Sequence, residues 1–216
     1  MTPQLDFIEV PSWIIPHSYS IIYVDFPWLY PTRNKNTRFG LGMHRYKGLT
    51  PAQCYEFGDF VKYLAADNCA LFMWHVPPKY VEYPLEKIMH AWGFRYATKA
   101  FTWIKISKAG IPRLLTGNYT GSNSEDCFLG IKGKMQVQNK GIRQVIMSQL
   151  DKHSRKPPEV RGRIVSLFGN LPRIELFATE CILGWDVWGS AIDDKPEFQG
   201  IYTSGICDPP ALILEP

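Results

Sequence analysis

The chain has 216 residues, 45% of them hydrophobic and 20% charged, with a formal net charge of +4. These proportions describe a globular protein with volume for a real core, and the mild charge admits a polyanionic partner without requiring one. No apolar run approaches the roughly 18 residues of a membrane span and no basic-then-apolar leader opens the chain, so a cytoplasmic protein without a membrane partner is expected. The five cysteines lack a C-x-x-C pair and the five histidines are dispersed, which points to reduced thiols and no metal site.

In chain order, residues 1–19 contain three prolines and read as an arm packed on the domain. Ile21–Val24 has the apolar, β-branched character of a buried strand. Asp25 follows at its carboxyl end, the edge where open α/β sheets bind ligands. Pro27 cannot continue a ladder, so the chain turns and leaves Asp25 beside Trp28. A carboxylate next to a flat ring suits a planar base whose exocyclic amine must be held and polarised. The same letters also describe a strand ending in a proline turn over a buried Trp.

Residues 32–47 carry Arg33, Lys35, Arg38, Arg45 and Lys47 with glycines and no apolar period. This is an exposed loop, long enough to expect a role, and phosphate contact is the role its cations favour. Thr50 and Pro51 form an N-cap and first-turn proline for a helix whose inner face is Phe57, Val61, Leu64 and Ala65. Ala70–Trp74 is a second buried strand. Val81, Leu85, Ile88, Met89 and Trp92 fall at helical spacing, with Gly93 as a stop. Strands follow around Ala100–Ile106 and Asp126–Ile131, separated by a glycine-bearing loop. Pro157 to Glu159 open a helix with Val160, Ile164, Leu167 and Phe168 inside, and Arg173–Ala178 is the next strand. Residues 1–194 therefore read as one α/β domain with a mostly parallel sheet and helices on both faces, and residues 195–216 as a peripheral tail.

Four further segments carry polar groups where a site would form. Residues 117–130 place small polar side chains before a strand. His153, Ser154, Arg155 and Lys156 gather cations at a helix start, against the helix dipole, so they are expected to answer to a carboxylate or phosphate. Glu175 stands inside an apolar run, which is costly unless it is paired or bonded; a ribose hydroxyl pair or a buried ion pair would serve. Residues 184–189 (GWDVWG) form an aromatic turn.

Taken together, these segments resemble the MTA-seventy-type adenine-N6 methyltransferases, a family that includes bacterial and phage DNA adenine methyltransferases and the catalytic subunit of the eukaryotic mRNA adenine methylase. The resemblance runs from about Tyr19 to Gly189. Its anchors are Asp25–Trp28, Ala70–Trp74, Ala91–Phe94, Phe101–Lys105, Asn123–Gly130, His153–Glu159, Glu175–Ala178 and Gly184–Gly189. It implies a Rossmann-like class I methyltransferase fold in a permuted motif order, with S-adenosyl-L-methionine (AdoMet) as donor.

By this resemblance Asp25 accepts a hydrogen bond from the target amine, the Phe26 carbonyl accepts a second, Pro27 shapes the turn and Trp28 stacks on or flanks the adenine. Asp25, Lys156, Glu175, Leu176, Phe177 and Ser190 fall in the cofactor-binding segments. Asn123 and the cations at 33, 35, 38, 45 and 47 would hold the nucleic acid, helped by Lys132, Lys134, Lys140 and Arg143. The family motif has proline where this chain has Phe26, which adds a bulky ring at the pocket wall; Gly121, Thr179 and Ser190 are further departures. The implied activity is methyl transfer to the 6-amino group of adenine, on DNA in preference to RNA, with a homodimer or heterodimer as the assembly. The alternatives are a catalytically weak or inactive nucleic-acid-binding homologue, an RNA adenine methyltransferase, or a transferase for another amine such as cytosine-N4.

Overall fold

The protein is described from a computed structural model over residues 10, 12–29, 48–76, 79–115, 119–150 and 155–189, with the backbone of a strand at 203–206. Along the chain lie β1 (Tyr19–Asp25), α1 (Pro51–Leu64), β2 (Ala65–His75), α2 (Leu85–Ala91), β3 (Arg95–Ile106), β4 (Ser124–Lys132), β5 (Val145–Gln149), α3 (Glu159–Phe168), β6 (Arg173–Leu176), β7 (Asp186–Gly189) and β8 (Thr203–Ile206). The cationic stretch at 33–47, His153 and Ser190 lie outside the described residues.

The strands form one sheet in the order β5-β3-β4-β2-β1-β6-β7-β8. It is mixed rather than the mostly parallel sheet expected: β1 pairs in parallel with β2 and β6, β6 with β7, and β3 with β5, while β4 runs against both neighbours and β8 against β7. The reason is local. β3 returns directly into β4 as a hairpin, and such a return makes an antiparallel pair, whereas parallel neighbours need a crossover.

Helices cover both faces. Side chains alternate along β1: Ile22 and Val24 join Phe57, Phe60 and Val61 of α1 and Ile88 and Met89 of α2, whereas Ile21 and Tyr23 meet Val160, Ile164 and Phe168 of α3. The α1 N-terminus carries the capping box that Thr50 announces, with Gln53 returning to the Thr50 backbone. Ala65, expected inside that helix, instead begins β2. The second helix is shorter than its apolar spacing predicts: it starts after Pro84, and Val81 is 95% exposed. Pro84 cannot be continued into from its N-terminal side without losing a backbone bond, so the helix waits for it. Among the described residues, no helix is long and apolar enough to cross a membrane.

Candidate active site

The carboxyl ends of β1, β2 and β6 meet the start of the reversed strand β4. Asp25 is level with Trp74 on β2, which is level with Cys127 on β4; on the other side Val24 is level with Leu176. Because β4 runs backwards, its first residues, Glu125 and Asp126, reach the same sheet edge as the last residues of β1. Sequence reading places polar residues here but does not single out Glu125 or its partner Lys105. An acid at a strand start reads as solvent-facing unless the strand's direction is known.

Lys156 ties this edge to the segment before α3. Its ammonium donates to Asp25 Oδ2 at 2.5 Å and lies 3.2 Å from Glu125 Oε2, with 11% of its side chain exposed. Lys105 donates to Glu125 Oε1. The cations ahead of α3 thus answer to carboxylates, as their place against the helix dipole requires, and Arg155 does the same through Glu180. Burial opposes the charge on Lys156, but Asp25 and Glu125 outweigh it and hold the ammonium protonated above its ordinary value. Burial likewise works against Glu125, yet the two lysines pull its carboxyl below the usual range. Burial dominates at Asp25 and, with the Glu125 charge, raises its pKa in spite of Lys156. Glu125 Oε2 is buried and has no aligned donor among the described residues.

The residues after Asp25 form a tight turn. The Phe26 carbonyl accepts the Trp28 N–H at 3.0 Å across Pro27, which leaves that oxygen a second lone pair. The Pro27 carbonyl accepts from Leu49 N at 2.9 Å. The Phe26 ring is not at the pocket wall, as its bulk suggests from sequence. It is 2% exposed and lies within ring contact of Trp28, Phe57, Trp92 and Phe177 in the α1–α2 core. At a strand end the alternation of side chains turns Asp25 and Phe26 to opposite faces. Of the two readings the sequence allows for Trp28, an open ring beside Asp25 or a buried one at a proline turn, the structure provides the buried one: it is 6% exposed, 4.4 Å from the His75 ring and 5.0 Å from the Tyr83 ring. Burial lowers the pKa of His75 beneath that stack, against the raising effect of the Tyr83 and Val76 carbonyls at its two nitrogens.

Glu175 has both oxygens engaged by Arg161, at 2.6 and 2.9 Å. Of the two partners its position in an apolar run allowed, the structure provides the ion pair. Arg161 also lies 3.3 Å from Glu180, so α3 is braced to β6 and to the segment beyond it. Leu176 is fully buried. Phe177 follows at φ +58°, a backbone region a bulky residue occupies only at a cost. Ala178 N then donates to Trp188 O, and Gly189 sits so close that a Cβ there would stand 2.5 Å from the Ala178 oxygen. Asn123 lies just before β4, its carbonyl accepting from Lys105 N at 2.8 Å. Lys132 and Lys134 are at the opposite edge of the sheet: Lys132 reaches Ala65 O and Lys134 N reaches the Asn68 side chain. Five residues of strand separate Lys132 from Cys127, about 17 Å, too far to share a phosphate beside Asp25.

The MT-A70 family model matches residues 19–191. The chain belongs to the MT-A70 family. It is 31% identical over 194 residues to the type II methyltransferase M.MunI of Mycoplasma sp., covering 82% of this chain and 79% of that protein. It is 30% identical over 116 residues to the human N(6)-adenosine-methyltransferase catalytic subunit METTL3, covering 51% of this chain but 19% of that one. With the Drosophila melanogaster MT-A70-like N(6)-adenosine-methyltransferase it shares 28% over 160 residues, 67% of this chain and 26% of the relative.

MT-A70 adenine methyltransferases use AdoMet as methyl donor, and the charges of the residues present suit that group. Asp25, Arg155, Lys156, Arg161, Glu175, Phe177 and Thr179 line one crevice, which the side chains close down to about the room of one water. It offers ammonium and guanidinium for a carboxylate, carboxylates for an α-ammonium, and the aromatic Phe177, while Glu125 Oε2 adjoins it as a buried acceptor with no aligned donor.

Proposed function

We propose that this MT-A70 protein transfers a methyl group to the 6-amino group of adenine in DNA. The observation that carries the reading is Asp25 at the carboxyl end of β1, followed by a turned Phe26 carbonyl and adjoining a crevice lined by both signs of charge. AdoMet, when bound, supplies a methyl group already activated on a sulfonium; Lys156 would face its carboxylate, and Asp25 or Glu125 its ammonium.

The chain's own residues act on the base. An adenine amine is a weak nucleophile because its lone pair is delocalised into the ring. Hydrogen bonds from its two protons to the Asp25 carboxylate and the free lone pair of the Phe26 carbonyl draw the nitrogen toward tetrahedral geometry. The carboxylate then faces the positive charge that develops on nitrogen, which is where preorganised electrostatics has most effect. Alignment of nitrogen with the methyl group supplies much of the rest, and the surplus proton leaves after transfer, so no strong base is needed beforehand. In a duplex the adenine must be extruded to reach this edge. Trp28 would flank it from within its aromatic packing rather than as an open platform.

The reach of the similarity to the type II methyltransferase, 79% of its length against 19% of human METTL3, supports DNA over RNA. Methyl transfer from labelled AdoMet to unmethylated duplex DNA, single-stranded DNA and RNA, followed by digestion to nucleosides, tests this. N6-methyldeoxyadenosine is the expected product. N6-methyladenosine from RNA alone, or N4-methylcytosine, would overturn it.

A further inference from the structure

The Lys156 ammonium has two carboxylates within reach and is aligned on one of them. It donates to Asp25 Oδ2 at 2.5 Å. It also lies 3.2 Å from Glu125 Oε2, yet that buried oxygen has no aligned donor among the described residues. The other Glu125 oxygen is held by Lys105, so Glu125 is not free to swing toward Lys156. A buried acceptor left without its bond is costly. Here the missing donor is one small movement of a flexible side chain away.

The ground between the two acids suits an ammonium. Strand β2 lies between β1 and β4, and its Trp74 is level with Asp25 on one side and with Cys127, two residues past Glu125, on the other. The Lys156 ammonium is 5.6 Å from the centre of the Trp74 ring, within range of a cation–π attraction. The Trp74 indole N–H donates to Tyr23 Oη at 2.6 Å, which fixes the ring.

The pairing seen at Asp25 conflicts with the chemistry assigned to it. A cation on Oδ2 competes with the target amine for the carboxylate. It also offsets the negative charge that must face the positive charge developing on nitrogen. The adjoining crevice has room for about one water, so side chains must part before a cofactor can enter.

Resting on the reading that AdoMet binds in this crevice, we propose that Glu125 is a positioning residue for methyl transfer: it receives the Lys156 ammonium when a cofactor carboxylate draws that ammonium off Asp25, and Asp25 is thereby freed for the target amine. Lys105 keeps Glu125 in place to receive it. Lys156 stays paired throughout, and Asp25 serves the amine only once the cofactor is seated.

Release of Lys156 has a signature that needs no nucleic acid. Asp25 is faced by Lys156, Glu125 and Lys105, with Arg155, Arg161 and Glu175 lining the same crevice. Lys156 lowers the Asp25 pKa, so loss of that contact raises it further and the protein takes up protons as cofactor binds. The test is calorimetric titration of the full chain with S-adenosylhomocysteine, which carries the amino-acid tail but no transferable methyl group. Buffers of different ionisation heat report the protons, across the acid limb. We expect net uptake in the wild type, lost in Asp25→Asn and in Lys156→Met.

Glu125→Gln removes the receiving acid. Its kcat should fall about tenfold, less than loss of a direct contact would cost, with AdoMet affinity within about threefold of wild type. Its acid limb should move down, because Glu125 raises the Asp25 pKa. A wild type without uptake would mean that another cation, such as the cofactor's own α-ammonium, replaces Lys156 on Asp25, and would overturn the proposal. So would uptake that survives in Asp25→Asn, or a Glu125→Gln protein whose kcat is unchanged or falls only in step with AdoMet affinity. Those results leave the methyltransferase reading intact. A wild type that binds neither S-adenosylhomocysteine nor AdoMet would instead remove the reading on which the proposal rests.

Discussion

The Lys156 ammonium lies 2.5 Å from Asp25 Oδ2, although 131 positions separate the two residues in sequence. The same ammonium lies against Glu125, so the acid assigned to the target amine and the lysine assigned to the cofactor form one charge system. Asp25→Ala should therefore do more than delete a hydrogen-bond acceptor. Transfer should fall by about 100-fold or more, the scale of losing a preorganised electrostatic contact. AdoMet affinity should change little, because Glu125 still holds Lys156. Calorimetric binding beside a methyl-transfer assay checks both; retention of near wild-type transfer would remove Asp25 from the site.

Lys156→Ala leaves two carboxylates facing each other across a vacated ammonium site. Breaking a buried ion pair costs about 3–5 kcal/mol, and this one should fall at the low end because 30% of the Asp25 side chain meets solvent. We expect a lower melting temperature and AdoMet affinity weakened at least tenfold. Lys156→Met should recover packing without recovering affinity. Equal affinity in both variants and the wild type would show that Lys156 serves stability alone.

The pH profile follows from Asp25. Its carboxyl is raised above the ordinary value by burial and by Glu125, and the ionised form is the stronger acceptor and the one whose charge faces the positive charge developing on the amine. Activity should thus be full well above that raised pKa and lost as pH falls through it, with the acid limb of kcat/KM above the ordinary aspartate range. Asp25→Glu should move the limb. A profile flat down to the ordinary carboxylate range would contradict the assignment.

Arg161 and Glu175 make a separate prediction. Arg161→Met strands a buried carboxylate and should destabilise by about 3–5 kcal/mol, whereas Arg161→Met with Glu175→Leu should regain most of that loss. Thermal melts of the three proteins decide it. If the double variant is stable and still binds AdoMet, Glu175 belongs to the frame and not to a ribose contact.

Gly189→Ala should be severely destabilising, because its Cβ would stand 2.5 Å from one backbone atom of Ala178 and 2.7 Å from another. Backbone cannot retreat as the end of a flexible side chain can, so the expected cost is about 2 kcal/mol or more. Chemical denaturation measures it.

The residues that announced themselves in sequence are those whose role depends on local order. The apolar run ending at Asp25, the Thr50-Pro51 helix start and the α3 face at Val160, Ile164 and Phe168 all carry their own period or cap. Glu125 and Lys105 did not, since their place at the site depends on β4 running backwards, and no local pattern encodes direction. The turn at Phe26 and Trp28 is legible, but the core position of the Phe26 ring and the choice of the buried reading for Trp28 are not, because burial beneath α1 and α2 is set by residues far along the chain. β5 and β7 escaped for another reason: they are short, five and four residues. Val145 and Met147 face solvent at the sheet edge, and GWDVWG reads equally as a turn.

The reversal of β4 also bears on how this protein can change. β3 leaves the sheet and β4 re-enters it side by side, so the intervening chain is a cassette whose two ends are already pinned. Its length and content can vary without shifting the register of any strand or disturbing the charges around Asp25.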